Sequence, residues 1–277
     1  MPLLFSSLSS SSCQSLVELL SQLPSLPPSC QWFNFLRCHD ELTLEMVPKE
    51  ERKQFFVDYC KDERFDFREG QGISSRLFDL FQGNIQKIIL ANSLLLSLKG
   101  TPIIYYGDEV GKQNDLSFFE EMYNISGYKD TRYYCRGRMD WKSIETSFSG
   151  EESERNTPLF LFNQLAKLIS IRKKYKSFSR GDTLFYQVFH DSHLTLPNHS
   201  VLSFQLKYKE EEVEDTKFIF HNLSPLVSSF YLPSPLHFLS SSSSPFTDLL
   251  GKGSLPFNSS NQVTLPPLSS FWLSQSN

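Results

Sequence analysis

The chain is short of basic runs, of paired cysteines and of long apolar stretches, and each shortage removes a class of function. Its 27 Lys and Arg against 31 Asp and Glu leave a net charge of −4 spread along the sequence. With no Lys/Arg block there is no electrostatic footprint for nucleic acid or for an anionic membrane. Cys13, Cys30, Cys38, Cys60 and Cys135 form neither CxxC pairs nor His-flanked sets, so neither a disulfide framework nor a zinc site is expected. A reducing, cytoplasmic setting follows as the expectation. No run approaches the roughly 18 apolar residues of a spanning helix, and no clustered-carboxylate loop of the EF-hand kind occurs, so neither a membrane span nor a metal or other cofactor is expected. The opening "MPLLFSSLSSSSC" lacks the basic n-region of a secretory signal. Its serines resemble an organelle transit peptide, but the arginines of one are missing, and a plain cytoplasmic start is the reading adopted.

What is present is enough apolar sequence, 39% of 277 residues, for one sizeable core and a second, smaller one. The stretch "QWFNFLRCHDEL", residues 31 to 42, raises the first specific question, because an apolar run ends abruptly in Cys38, His39, Asp40 and Glu41. Trp32 to Leu36 is apolar on both faces, as in a strand buried in a parallel sheet. Before it, "QSLVELLSQ" (14 to 22) predicts a short helix that stops at a proline-bearing loop. After it, Pro48 with Glu50 and Glu51 marks a helix start, the acids lying at the positive dipole end. Residues 84 to 98 show a broad helical face, with Gly100 as stop and Pro102 blocking continuation. Then "PIIYYGDE" repeats the opening pattern: a short apolar run ending at Gly107, Asp108 and Glu109.

Two such strands, each with acids past its C-terminal end and helical sequence between, have the form of consecutive βα units. In a closed (β/α)8 barrel those strand ends share the face that presents reactive groups. Taken singly, Asp40 or Asp108 is as well explained as the cap of a following turn; the two at equivalent positions favour a site. Beyond the helix "LFNQLAKLISIRKKY", whose last turn is basic, the period changes. Leu202, Phe204, Leu206 and Tyr208 alternate with polar residues, as do Phe218 and Phe220, which predicts a small antiparallel β-domain. The acidic run at 210 to 215 is read as a solvated hairpin loop and the serines at 240 to 244 as a flexible one.

At "FLRCHDELTLEMV" and "LLLSLKGTPIIYYGDEVG" the sequence resembles glycoside hydrolase family 13, the α-amylase family, and within it trehalose synthases and α-glucosidase-like members. The family's Asn-His-Asp after strand seven stands here as Cys38-His39-Asp40. Its Gly-x-Pro-x-x-Tyr-x-Gly-x-Glu around strand eight is met by Gly100, Pro102, Tyr105, Gly107 and Glu109. "DTRYYCRGRMDW" resembles the loop after strand eight, with Arg136, Met139 and Trp141 in place and Arg138 where proline is usual.

The resemblance implies the C-terminal part of a (β/α)8 TIM barrel, about strands 7 and 8 with helices, over residues 1–178. A small antiparallel β-sandwich domain would follow over 179–277. It implies that Asp40 is the carboxylate that stabilises the transition state and that His39 and Arg136 bind substrate, an α-glucoside or short α-glucan. The reaction would be a retaining double displacement, ending in hydrolysis or in transglycosylation as in trehalose synthase. That chemistry needs a carboxylate nucleophile and a second carboxyl group roughly 5 Å apart, and neither family setting for them is in this sequence. An N-terminal barrel segment is therefore expected as a partner, the chain alone is expected to be inactive, and two strands alone should expose a hydrophobic edge that a closed barrel would pair. Two other readings stay open. One is a non-catalytic carbohydrate-binding module using Trp141, Trp272 and the β-domain; the other is a degenerate, truncated gene product.

Overall fold

The computed structural model describes residues 2–27, 29–37, 40–149, 157–240, 246–258, 260 and 262–275. Two short helices come first, α1 (Pro2–Ser10) and α2 (Gln14–Ser21). Pro2 opens α1, where a missing N–H costs nothing, and Leu4, Phe5 and Leu8 form its buried face. β1 (Phe33–Phe35) and β2 (Leu42–Thr43) precede α3 (Lys49–Tyr59), which starts after Pro48 with Glu50 and Glu51 in its first turn. Next are β3 (Asp66–Phe67), β4 (Gly72–Ile73), the single turn α4 (Leu77–Leu80), the apolar helix α5 (Ile85–Ser97) and β5 (Thr101–Ile103).

β1 and β5 are hydrogen-bonded neighbours, and the Thr101 amide donates to the Trp32 carbonyl at 2.7 Å. No hairpin joins them: α3, α4 and α5 lie between them in the chain, as in a crossover. The expectation that these strands are buried core is met only in part: Leu36 just past β1 is buried and Phe35 half-buried, but Phe33 is 65% and Ile103 45% exposed. Among the described residues the sheet has two strands only, so the faces that apolar composition equips for burial are only partly covered. β2, β4 and β3 make a separate antiparallel sheet, with Leu42 and Asp66 both paired to Ile73. Gly72 has to be glycine there, because a Cβ would stand 2.9 Å from the Leu42 carbonyl oxygen.

α6 (Leu116–Ser126), α7 (Trp141–Phe148), α8 (Pro158–Lys174) and the single turn α9 (Ser177–Arg180) lead into the β region. There β6 (Asp182–Tyr186), β7 (Val201–Glu210), β8 (Val213–Asn222), β9 (Ser228–Phe230), β10 (Phe246–Asp248), β11 (Val263–Leu265) and β12 (Ser269–Gln275) are arranged as two sheets. The larger is antiparallel in the order β10-β12-β8-β7-β6, and β9 pairs with β11. Val201, Phe218, Phe220, Phe230, Val263 and Phe271 from both sheets share one apolar core. The acidic hairpin is tighter than its composition suggests: Glu210 pairs with Val213, so only Glu211 and Glu212 form the turn. The serine run at 240 to 244 falls, beyond Ser240, outside the described residues.

By contacts the chain divides into two compact units. One comprises 1–2, 35–89 and 103–166; the other comprises 3–34, 90–102 and 167–277. Within the second, the basic last turn of α8 has a definite task. Arg172, 8% exposed, donates to the carbonyls of Leu96 and Leu98 at 2.5 and 3.0 Å and to that of Gly100. The Leu96 carbonyl is one that the end of α5 leaves without an intrahelical donor, and those of Leu98 and Gly100 belong to the turn that follows it. Burial lowers the Arg172 pKa to about 10, which still leaves it charged at neutral pH.

Candidate functional site

Asp40 lies on the loop between β1 and β2 and is 5% exposed. Its counter-ion arrives from far along the chain. A 3-10 turn, Thr131–Cys135, is started by Asp130, whose carboxylate accepts from the Arg132 backbone amide. The same carboxylate takes both Nε and Nη2 of Arg132, at 2.9 and 2.8 Å. Arg136 closes the turn, and its Nε donates to Asp40 Oδ2 at 2.6 Å while its Nη1 stands 3.8 Å from Asp130. The predicted pair Asp40 and Arg136, 96 positions apart, is thus brought together. His39 and Cys38, the other predicted members, lie outside the described residues.

The electrostatics of Asp40 are a contest. Burial alone would raise its pKa, but a hydrogen bond with Glu41, the Arg136 hydrogen bond and the charges of Arg136 and Arg132 outweigh that and hold it below the ordinary carboxylate value. Glu41 is the opposite case. Burial first, then the hydrogen bond and charge of Asp40, push it up to about 8. Two adjacent buried acids with divergent proton affinities are the kind of pair found at sites where charge is managed. Sequence reading missed Glu41, although its place in the acidic end of the strand was visible.

Asp108, which the repeated strand pattern singled out, stands apart in role. Arg37 Nη2 donates to it at 2.8 and 3.1 Å, Arg76 Nη1 approaches at 3.4 Å, and all three side chains are buried. The Tyr105 ring faces both guanidiniums, at 5.1 Å for Arg37 and 4.6 Å for Arg76. The acid after β5 is therefore tied to the residue two beyond the end of β1, fixing the base from which the Asp40 loop leaves. Glycine at 107, with φ +83°, makes the turn after β5, and a Cβ there would stand 2.9 Å from Lys112 Cβ.

Arg132 and Arg138 form ion pairs, with Asp130 and with Glu121. Trp272 offers no face to a sugar. It is fully buried, its ring 4.8 Å from that of Phe178, whereas Trp141 is 65% exposed. Among the described residues no group of three or more His, Cys, Asp or Glu is placed to hold a metal ion, and no helix is long and apolar enough to cross a membrane.

No family model matches the chain. It is 45% identical over 111 residues to a trehalose synthase/amylase of Mycolicibacterium smegmatis, covering 40% of this chain and 18% of that protein. To a trehalose synthase of Thermus thermophilus it is 30% identical over 247 residues, 84% of this chain and 24% of that one. Among solved structures, the sucrose 6F-phosphate phosphorylase of Thermoanaerobacter thermosaccharolyticum superposes with a TM-score of 0.57 at 17% identity, over 80% of this chain and 40% of that one. The chain therefore spans about a fifth to a quarter of the length of these curated relatives, and its fold is that of a partial α/β fragment followed by the β-sheets described above.

Proposed function

The chain belongs to the α-amylase family, glycoside hydrolase family 13, of which it spans a C-terminal portion, and from that premise we propose that it supplies one wall of an α-glucoside site built on Asp40 and Arg136. The observation that carries the reading is the pair formed by buried Asp40, on the loop that follows β1, with half-buried Arg136 at 2.6 Å. An acid held ionised in a partly dry setting suits a cationic, oxocarbenium-like transition state, where preorganised charge is worth most. His39, next in sequence, is the second sugar ligand on this reading.

β1 and β5 take the places of barrel strands 7 and 8, residues 1–178 being the barrel portion and 179–277 the C-terminal β-sandwich. The bond broken is an α-glucosidic one, in maltose or a short α-glucan, with retention and in the manner of a trehalose synthase. The nucleophile and the general acid come from an N-terminal barrel segment, because a retaining mechanism needs two further carboxyl groups about 5 Å apart and Asp108, held by Arg37 and Arg76, is committed elsewhere. The exposed Phe33 and Ile103 support this, being apolar side chains on strands that such a segment would flank.

The test is maltose binding by the full chain, followed by saturation-transfer NMR. Loss of the signal in Asp40→Ala with retention in Trp141→Ala is the expected result. Binding that survives Asp40→Ala and vanishes in Trp141→Ala would replace this reading with that of a non-catalytic carbohydrate-binding module.

A further inference from the structure

We infer that Glu41 is a positioning residue for Asp40: its carboxyl group keeps a proton and donates it to the Asp40 carboxylate, so the two acids together carry one negative charge. The functional consequence rests on the sugar-site reading above, but the protonation itself does not.

The geometry argues as follows. Glu41 is 9% exposed, and its Oε2 has no hydrogen-bond donor among the described residues. Among the described residues the donor to its Oε1 is the Thr43 hydroxyl, at a long 3.5 Å. An ionised carboxylate in that position would be desolvated and left almost without donors, a state that costs several kcal/mol and is normally relieved by taking up a proton. The carboxyl group that Glu41 does meet is that of Asp40, and two carboxylates in hydrogen-bond contact cannot both ionise cheaply.

The neighbours decide which of the two keeps the proton. Asp40 has the Arg136 Nε at 2.6 Å and feels the charges of both Arg136 and Arg132, while Glu41 is helped by the charge of Arg132 and the Thr43 hydroxyl and makes no ion pair among the described residues. Arg132 is in turn held by Asp130, which takes up much of its charge. From the side of β5, Tyr105 adds no charge near Asp40, since burial pushes its hydroxyl well above the ordinary phenol value. Among the described residues, Arg136, Arg132 and Asp130 are charged groups that face the pair, and together they favour ionised Asp40 beside neutral Glu41.

In this state Glu41 fixes the rotation of the Asp40 carboxylate and leaves its charge undivided for a sugar hydroxyl. Once Glu41 ionises, near pH 8, the second charge repels the first and the carboxylate loses its donor.

Two measurements on the full chain test this. In the first, side-chain carboxyl carbons are followed by 13C NMR as pH is raised from 4 to 10 without sugar. The expected result is a Glu41 midpoint near 8 with Asp40 below its ordinary value; a Glu41 midpoint in the ordinary glutamate range, about 4.3, overturns the inference. In the second, maltose affinity is compared at pH 7 and pH 9. If only the Glu41-protonated form binds, apparent affinity falls about tenfold, the ratio of the competent fractions. Glu41→Gln, which keeps an uncharged donor, should hold affinity within about twofold across that range. A tenfold fall that persists in Glu41→Gln also overturns the inference. A midpoint near 8 with no maltose binding at any pH leaves the proton on Glu41 and removes the sugar site instead.

Discussion

Replacing His221 by glutamine should abolish a pH-dependent loss of stability whose size follows from the structure. His221 on β8 is completely buried between two serines, its Nε2 2.9 Å from Ser97 Oγ and its Nδ1 2.8 Å from Ser270 Oγ. The Ser97 hydroxyl already donates to the Leu94 carbonyl at 3.0 Å, so it accepts from Nε2–H, and Ser270 donates to a bare Nδ1. The ring is neutral and fully used. Burial, reinforced by the charge of Lys252, pushes its pKa down from 6.5 to about 3. Because the folded state resists a proton that the unfolded state accepts, the stability due to His221 is intact above pH 6.5 and is lost as pH falls toward 3. Below about pH 6.5 each unit costs up to about 1.4 kcal/mol. At pH 5 the loss comes to about 2 kcal/mol, a large part of a marginal total. Urea unfolding of the full chain at pH 7.5, 6 and 5 reads this, with wild type and His221→Gln compared at each pH so that carboxylates common to both cancel. The variant starts lower, having lost ring packing, but the gap should close by about 2 kcal/mol between pH 7.5 and 5. A gap that stays constant refutes the argument.

Two further substitutions probe the buried ion pairs. Asp108→Ala leaves the Arg37 and Arg76 guanidiniums, both buried, without their carboxylate, and should lower the unfolding free energy by about 3–5 kcal/mol as read by urea titration; a loss under 1 kcal/mol would mean the triad is not formed in solution. Arg172→Met fills the volume but strips donors from the Leu96, Leu98 and Gly100 carbonyls. It should cost about 3 kcal/mol and speed amide exchange at the C-terminal turn of α5; unchanged exchange there would show that water satisfies those carbonyls equally well.

Much of the local structure was legible. The helical period and Gly100 gave α5 within a residue at each end, and Pro48 with two acids gave the start of α3. Alternation gave the β7–β8 hairpin. The family motifs singled out Asp40 and Arg136, which the fold brings into contact. α1 was not foreseen, because its serines suggested a transit peptide rather than a helix, while Leu4, Phe5 and Leu8 supply a buried face only when something packs on them. The burial of β1 and β5 was expected from composition and is only partial, for composition reports what a strand is suited to and not what lies against it.

The sequence by itself determined many of the elements, the strand-end acids and membership of the α-amylase family, all of which depend on residues close in the chain or on motifs of fixed spacing. Only the tertiary structure decided which acid met which base. Asp40 took Arg136, Asp108 took Arg37 and Arg76, and Glu41 makes no ion pair among the described residues. Such choices depend on long-range approach and on how much water is excluded, because desolvation sets the strength of every charge interaction. Neither quantity is written in the local order of residues.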